Sequence, residues 1–259
     1  MVRPHGVKPL ALSAVLLMSV AGAADAGTFR AGVGLDYTSG DYGGTETITQ
    51  TYVPVSAAYR TDRWGLRLTV PYTSVDGPGT VIDSGGEFIA GPDESRSGLG
   101  DVIVGATLYD VVRDDTARVH VDLAAKVKLG TADETDGLGT GENDYSLQAD
   151  VLKSFDRLAL FGTVGYKLRG DPEGTDLRNV AFGTVGGDYR VGRGARAGLM
   201  FDYRPSAVSG GDALQEATAY LSFAPGRGTT VQPYLVAGFS DSSPDWGAGF
   251  SIGWRRQGE

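Results

Sequence analysis

The chain has 259 residues, among them 40 glycines and no cysteine, and carries a net charge of −9 from 23 Lys and Arg against 32 Asp and Glu. So acidic a balance excludes a nucleic-acid binder, which needs basic surface, and the absence of cysteine excludes a disulfide-stapled fold. Beyond Val20 no apolar stretch approaches the roughly 18 residues of a spanning helix, which excludes a helical membrane protein.

Residues 1–26 have the order of a cleaved signal peptide. Arg3 and Lys8 make a charged start, Leu10 to Val20 an apolar centre, and Ala21-Gly22-Ala23 or Ala24-Asp25-Ala26 a small-residue cleavage site. Cleavage after Ala26 leaves residues 27–259 as one domain. In that stretch twelve segments alternate apolar with small or polar residues, the period of a half-buried strand. They are Thr28–Thr38, Glu46–Arg60, Arg63–Ser74, Gly98–Val112, Ala117–Leu129 and Asn143–Phe155, then Arg157–Arg169, Arg178–Val191, Ala195–Arg204, Leu214–Ala224, Thr229–Ser240 and Trp246–Arg256. The glycine content, about twice ordinary usage, suits turns and closely approached strands.

The connections alternate in length. Thr61-Asp62, Arg113–Thr116, Asp156, Gly192–Gly194 and Pro225–Gly228 are short; Ser39–Thr45, Val75–Ser97, Gly130–Glu142, Gly170–Leu177, Pro205–Ala213 and Asp241–Asp245 are longer. Arg60, Arg63, Arg113, Arg157, Arg193 and Arg227 gather at the short turns, whereas Asp83, Glu87, Asp133, Glu134, Asp136, Glu142, Asp171 and Glu173 lie in the long loops. Short periplasmic turns and long outer loops mark an outer-membrane barrel.

Aromatic spacing points the same way. Phe29 and Tyr37, Trp64 and Tyr72, and Trp246 and Trp254 are each eight residues apart on one face of a strand. Eight steps give about 26 Å, which at a tilt of about 40° projects to roughly 20 Å, close to an apolar band with its two aromatic girdles.

The side-chain period of two also assigns faces. With lipid outside, the inner wall carries Arg30, Asp36, Arg67, Asp101, Arg118, His120, Asp122, Lys126, Lys128, Asp150, Lys167, Asp188, Arg190, Arg196 and Asp202, and these are the pore-lining candidates. Both signs are present, so pairing across strands is expected. A soluble barrel with an apolar interior would turn the same charged face outward; the girdles and the loop asymmetry favour the membrane arrangement. Twelve strands lie between a filled eight-stranded interior and a wide sixteen-stranded channel, so the expected lumen is narrow and polar.

From Ser97-Gly98-Leu99-Gly100-Asp101-Val102 through Tyr109, the chain resembles a known family. Lys126-Val127-Lys128-Leu129-Gly130-Thr131-Ala132-Asp133, Leu138-Gly139-Thr140-Gly141-Glu142-Asn143-Asp144-Tyr145 and the strand through Lys153-Ser154-Phe155 extend the likeness. Together these resemble the transporter-like outer-membrane proteins associated with the meta-cleavage pathway of phenol degradation. The resemblance implies an outer-membrane barrel for passage of small solutes, aromatic compounds among them. Its partners would be outer-membrane lipid, a small-molecule solute and the barrel-assembly machinery. Such barrels commonly finish on a terminal aromatic, whereas here Arg255-Arg256-Gln257-Gly258-Glu259 follow Trp254.

Other chemistry finds little footing. His120 with Asp122 is a histidine–carboxylate pair of the kind used in general-base catalysis, but it sits near a short turn, without a second histidine in the mature chain. The acidic loop Asp133–Asp144 lacks the alternating acids of a calcium loop. Val75–Ser97 is long enough to have a function, either folding inward as a constriction or shielding the rim.

The sequence therefore predicts an all-β protein, a single antiparallel transmembrane β-barrel of about 12 strands in the outer membrane. It would act as a passive channel for small solutes, not an enzyme, with no catalytic residue, metal or cofactor; no oligomeric state follows. The alternatives are a plugged structural or surface-interaction barrel and an outer-membrane lipid hydrolase. Cationic wall groups favour anions, while the acidic outer loops repel them.

Overall fold

The computed structural model describes residues 27–83, 87–226 and 228–257. The expected signal peptide, residues 1–26, and the turn residue Arg227 lie outside the described residues. The strands in chain order are β1 (Thr28–Gly40), β2 (Ile48–Arg60), β3 (Trp64–Asp76), β4 (Pro78–Asp83), β5 (Glu87–Asp93), β6 (Arg96–Leu99), β7 (Val102–Asp114) and β8 (Val119–Leu129). They continue with β9 (Asp144–Ser154), β10 (Leu158–Leu168), β11 (Val180–Gly192), β12 (Ala195–Arg204), β13 (Leu214–Gly226), β14 (Thr229–Gly238) and β15 (Trp246–Gln257).

Twelve of these positions form one closed antiparallel barrel. Each strand pairs with its sequence neighbours, and β1 closes the sheet on β15 over the whole register from Thr28↔Gln257 to Ser39↔Trp246. β6 and β7 together make one barrel strand, interrupted at Gly100-Asp101, because both pair with β3 (Tyr72↔Leu99 and Thr69↔Ile103). Closure leaves no open edge, so the ladder satisfies backbone groups that lipid could not.

The two faces of the sheet differ as alternation requires. Leu35, Val55, Leu66, Val104, Val164, Val185, Leu199 and Leu235 stand exposed on the outer surface. At the short-turn end Phe29, Tyr59 and Trp64 form a continuous aromatic run, with ring centroids 5.0 and 5.7 Å apart. At the long-loop end Tyr37 packs on Trp246 at 5.4 Å. The interior instead buries many polar groups, among them Gln50, Thr73, Asp101, Lys128, Gln148, Asp150 and Gln232. An apolar exterior around a polar interior inverts the soluble arrangement and suits lipid. Interior rings lie against the wall, Phe161 over Gly186 and Phe182 over Gly165, each across from its glycine in register. A Cβ at either glycine would meet the ring.

The strand segments read from the sequence correspond to the barrel strands, with ends moved by a few residues. The main difference lies in Val75–Ser97, which holds the hairpin β4–β5 as a separate two-stranded sheet.

A test of the orientation uses Leu199, 60 % exposed in the middle of β12. Leu199→Arg should destabilise the barrel in lipid vesicles by about 2–4 kcal/mol, measured by denaturant unfolding. A change close to zero would contradict a lipid-facing position.

Candidate functional site in the barrel interior

The hairpin decides the form of the long-loop mouth. Its root is turned by Gly77 and Gly79 at φ +112° and +115°. Arg96 clamps that root by donating to the Gly77 carbonyl at 2.7 Å, to Glu94 O at 2.9 Å and to Gly79 O. Its side is tied to the β8–β9 loop by Val81 N donating to Gly137 O at 3.0 Å. Near its origin Val81 packs with Ile48 and Val75, with Tyr42 and Phe88 against them. At the far wall Ile82 packs with Leu177 and Ala207, with Ile89 and Val208 against them. The strand that launches the hairpin, β3, and the strand before Ala207, β12, stand six places apart in a ring of twelve. The hairpin thus spans the mouth from one wall to the opposite one. In the loop above β1, Tyr42 meets Phe88 edge-on at 4.8 Å, and burial pushes its hydroxyl above the ordinary phenol range.

Glu87 is the far anchor. It accepts from Ala207 N at 2.6 Å, Ser206 Oγ at 2.9 Å and Arg169 Nη2 at 3.3 Å, with Arg204 Nη2 at 3.8 Å. The ion pairs continue along the wall from there. Arg169 lies 3.8 Å from Asp144, Asp144 lies 3.5 Å from Lys128, and Lys128 lies 2.9 Å from Asp101. Asp101 Oδ1 also accepts from the backbone N–H of Thr131 and Ala132 at 3.0 and 2.9 Å. Asp101, Asp144 and Glu87 thus alternate with Lys128, Arg169 and Arg204, three acids with three bases. Such buried charges are tolerable only when paired.

Below this network the register sorts charge into two bands. Following cross-strand partners, Arg255, Arg30, Ala58, Arg67, Gly105, Lys126, Ser146 and Lys167 form one continuous line across the inner wall. A second line runs Asp122, Asp150, Thr163, Thr184, Asp202, Glu216. Because strands in a barrel tilt, both lines climb the wall. The first rises from the short-turn end at Arg255 to the upper end of β10 at Lys167, two residues below Arg169. In the second line Thr163 Oγ1 donates to Asp150 at 2.6 Å and Thr184 Oγ1 to Asp202 at 2.5 Å, while Gln148 donates to both Asp150 oxygens at 2.8 and 2.9 Å.

At the short-turn end lies a cavity of about 370 Å³, lined by Arg30, Ser56, Ala58, Arg67, Gly253 and Arg255 among others. Arg60, nearby, stacks its guanidinium 3.6 Å above the Tyr109 ring.

The residues singled out in the sequence separate into groups. Asp101 and Lys128 belong to the network under the hairpin. Arg30, Arg67, Lys126 and Lys167 lie on the basic line, and Asp122, Asp150 and Asp202 on the acidic one. Asp188 pairs with Arg196 and accepts from Tyr220 at 3.4 Å. Asp36 stands across from Tyr52 and Gly249. His120 bonds not to Asp122 but to Asp110, 2.6 Å from its Nδ1, and Asp110 N donates to Asp122 at 2.8 Å. An irregularity between Leu108 and Val112, with Asp110 at φ +52°, turns Asp110 to this position. Arg118 precedes β8 in the turn, half exposed, and pairs with Asp156 at 3.0 Å.

Asp110, Asp144, Arg169, Arg204 and Arg255 are not among the pore-lining candidates read from the sequence, which places Glu87 only among the acids of the long loops. One signal was available for Glu87: an acid beside Phe88-Ile89 and close after Val81-Ile82 sits in apolar company that a solvated loop does not need.

Comparison with known proteins places this geometry. A family model described as "Putative MetA-pathway of phenol degradation" matches residues 21–204. An outer membrane channel of Pseudomonas putida F1, solved by crystallography, aligns with 99 % of this chain and 100 % of its own, at 14 % identity and a TM-score of 0.67. The KdgM porin in complex with disordered oligogalacturonate aligns with 88 % of this chain and 100 % of its own, at 10 % identity and a TM-score of 0.52. At such identities the likeness is one of fold. No curated protein matches the chain.

If Glu87 latches the hairpin, Glu87→Ala leaves Arg169 buried beside fewer acids. Breaking a buried pair costs about 3–5 kcal/mol, so β4–β5 should exchange its amide hydrogens at least about a hundredfold faster while the barrel strands keep their protection. Unchanged protection in β4–β5 would show that the apolar contacts hold it alone.

Proposed function

The chain belongs to the MetA-pathway phenol-degradation family, and from that premise we propose that it is an outer-membrane channel for small solutes, restricted at the outer mouth by its own hairpin. Residues 1–26 direct export, and the short turns face the periplasm. The observation that carries this reading is a closed barrel with an apolar exterior and a polar interior that still holds a cavity of about 370 Å³. A barrel of purely structural purpose has no need of interior space lined with arginine. The family's description supports aromatic compounds or their breakdown products as the cargo.

A second reading, a plugged barrel with a surface role, is favoured by the hairpin itself. A hairpin fixed at its root by Arg96 and at its far end by Glu87 obstructs the mouth whenever both hold. Against a hydrolase stands the place of the His120–Asp110 pair, beside the short turns and away from the long-loop mouth.

Single-channel recording on the purified, heat-modifiable barrel separates the two. The channel reading expects rare openings in the wild type and a clear rise in open probability in Glu87→Ala. Silence from both folded proteins would remove the channel and leave the plugged barrel.

A further inference from the structure

We infer that the basic line is a track for small organic carboxylates, with its terminal binding site in the cavity around Arg30, Arg67 and Arg255. The inference deepens the channel reading, on which it rests for the route by which solute reaches the site.

Charge balance carries the argument. Under the hairpin every charge has an opposite partner, three acids against three bases. At the other end the pattern reverses. Arg255 and Arg30 stand directly opposite each other, and only Ala58 separates Arg30 from Arg67 in register. Arg60, Arg67 and Arg255 act on Arg30 as like charges. Like charges set opposite one another across strands are destabilising. Among the described residues no carboxylate pairs with Arg30, Arg67 or Arg255, and the buried Nε of Arg30 has no hydrogen-bond partner. Guanidinium groups held together around an open space, without a protein anion, call for an anion from outside.

The shape of the space narrows the choice. A cavity of about 370 Å³ falls within the range of small-molecule sites and is far larger than a water needs, about 30 Å³ in the liquid. Ala58 and Ala224 join the arginines on its wall. Apolar carbon therefore faces the body of a ligand while the guanidinium forks match a carboxylate two bonds at a time. Along the line the small residues Ala58, Gly105 and Ser146 alternate with Arg67, Lys126 and Lys167. Only small residues stand between the cations in register, and the line leads from below the latched mouth down to the cavity.

The test titrates benzoate into the whole folded barrel in an uncharged, lipid-free detergent, with benzyl alcohol and inorganic phosphate in parallel. Saturable benzoate binding is expected, weakened by salt. Loss of a charge-assisted contact should cost about tenfold or more in affinity for Arg30→Ala and for Arg67→Ala, while Arg118→Ala in the exposed turn binds as the wild type does. Should either alanine variant fail the heat-modifiability check, Arg30→Lys and Arg67→Lys replace them, with the same weakening expected from loss of the planar fork. No saturable benzoate binding, equal binding in the Arg30 and Arg67 variants, or a preference for phosphate over benzoate overturns the inference. Liposome swelling with uncharged arabinose keeps the two readings apart. Arabinose passage without benzoate binding overturns the carboxylate site and leaves the channel; benzoate binding without passage of any solute leaves the site and removes the channel.

Discussion

The hydrogen-bonded closure of β1 on β15 is the constraint on which the rest of the molecule depends. In lipid an unpaired backbone group has no water to turn to, so a sheet can cross only when its first and last strands meet. Twelve residue pairs from Thr28↔Gln257 to Ser39↔Trp246 make that seam. Closure in turn fixes the inside and the outside. Every second side chain must face hydrocarbon, and the residues between must face a confined interior where charge is costly unless matched. The apolar belt, the polar lumen and the arrangement of ion pairs all follow from that division.

The interior handles charge in two ways, and the contrast gives the barrel its direction. Beneath the long loops Glu87, Arg169, Asp144, Lys128 and Asp101 satisfy one another, which rigidifies the mouth and holds the hairpin across it. Toward the short turns the arginines lie beside alanine and glycine, with space in front of them. The mouth is electrostatically complete, whereas at the other end, among the described residues, Arg30 and Arg67 stand without a carboxylate partner. Between them the hydroxyls of Thr163 and Thr184 hold the acidic line by hydrogen bonds, which keeps the two signs on separate bands of the wall.

Most of the barrel was legible because its strands obey a period of two over long stretches. Thr28–Thr38 and Ala195–Arg204 alternate so regularly that only one of their faces suits lipid. The legibility ended where partners are distant or where the period slips. Val75–Ser97 shows turn residues and two short apolar pieces, and nothing local says that Ile82 packs on Leu177 and Ala207, or that Glu87 reaches Ser206. His120 and Asp122 share a face by counting, but the irregularity at Asp110 brings a different carboxylate to the imidazole. The two extra residues that β7 carries there, four steps from Leu108 to Val112 against two from Leu123 to Val121, are invisible to a pattern that assumes strict alternation.

By itself the sequence determined the strand count, the lipid-facing residues and the alternation of short and long connections, because each is set by local periodicity and turn chemistry. Which charges meet was decided only by the tertiary structure. The lines Arg255–Arg30–Arg67–Lys126–Lys167 and Asp122–Asp150–Asp202–Glu216 join residues from strands far apart in the chain, and their continuity depends on the register of every ladder between them. Register is a property of strand pairs, and a slip of one residue would turn each side chain to the opposite face. The crossing of the mouth is likewise a matter of closure: β3 and β12 become opposite walls only once the sheet has curled back on itself.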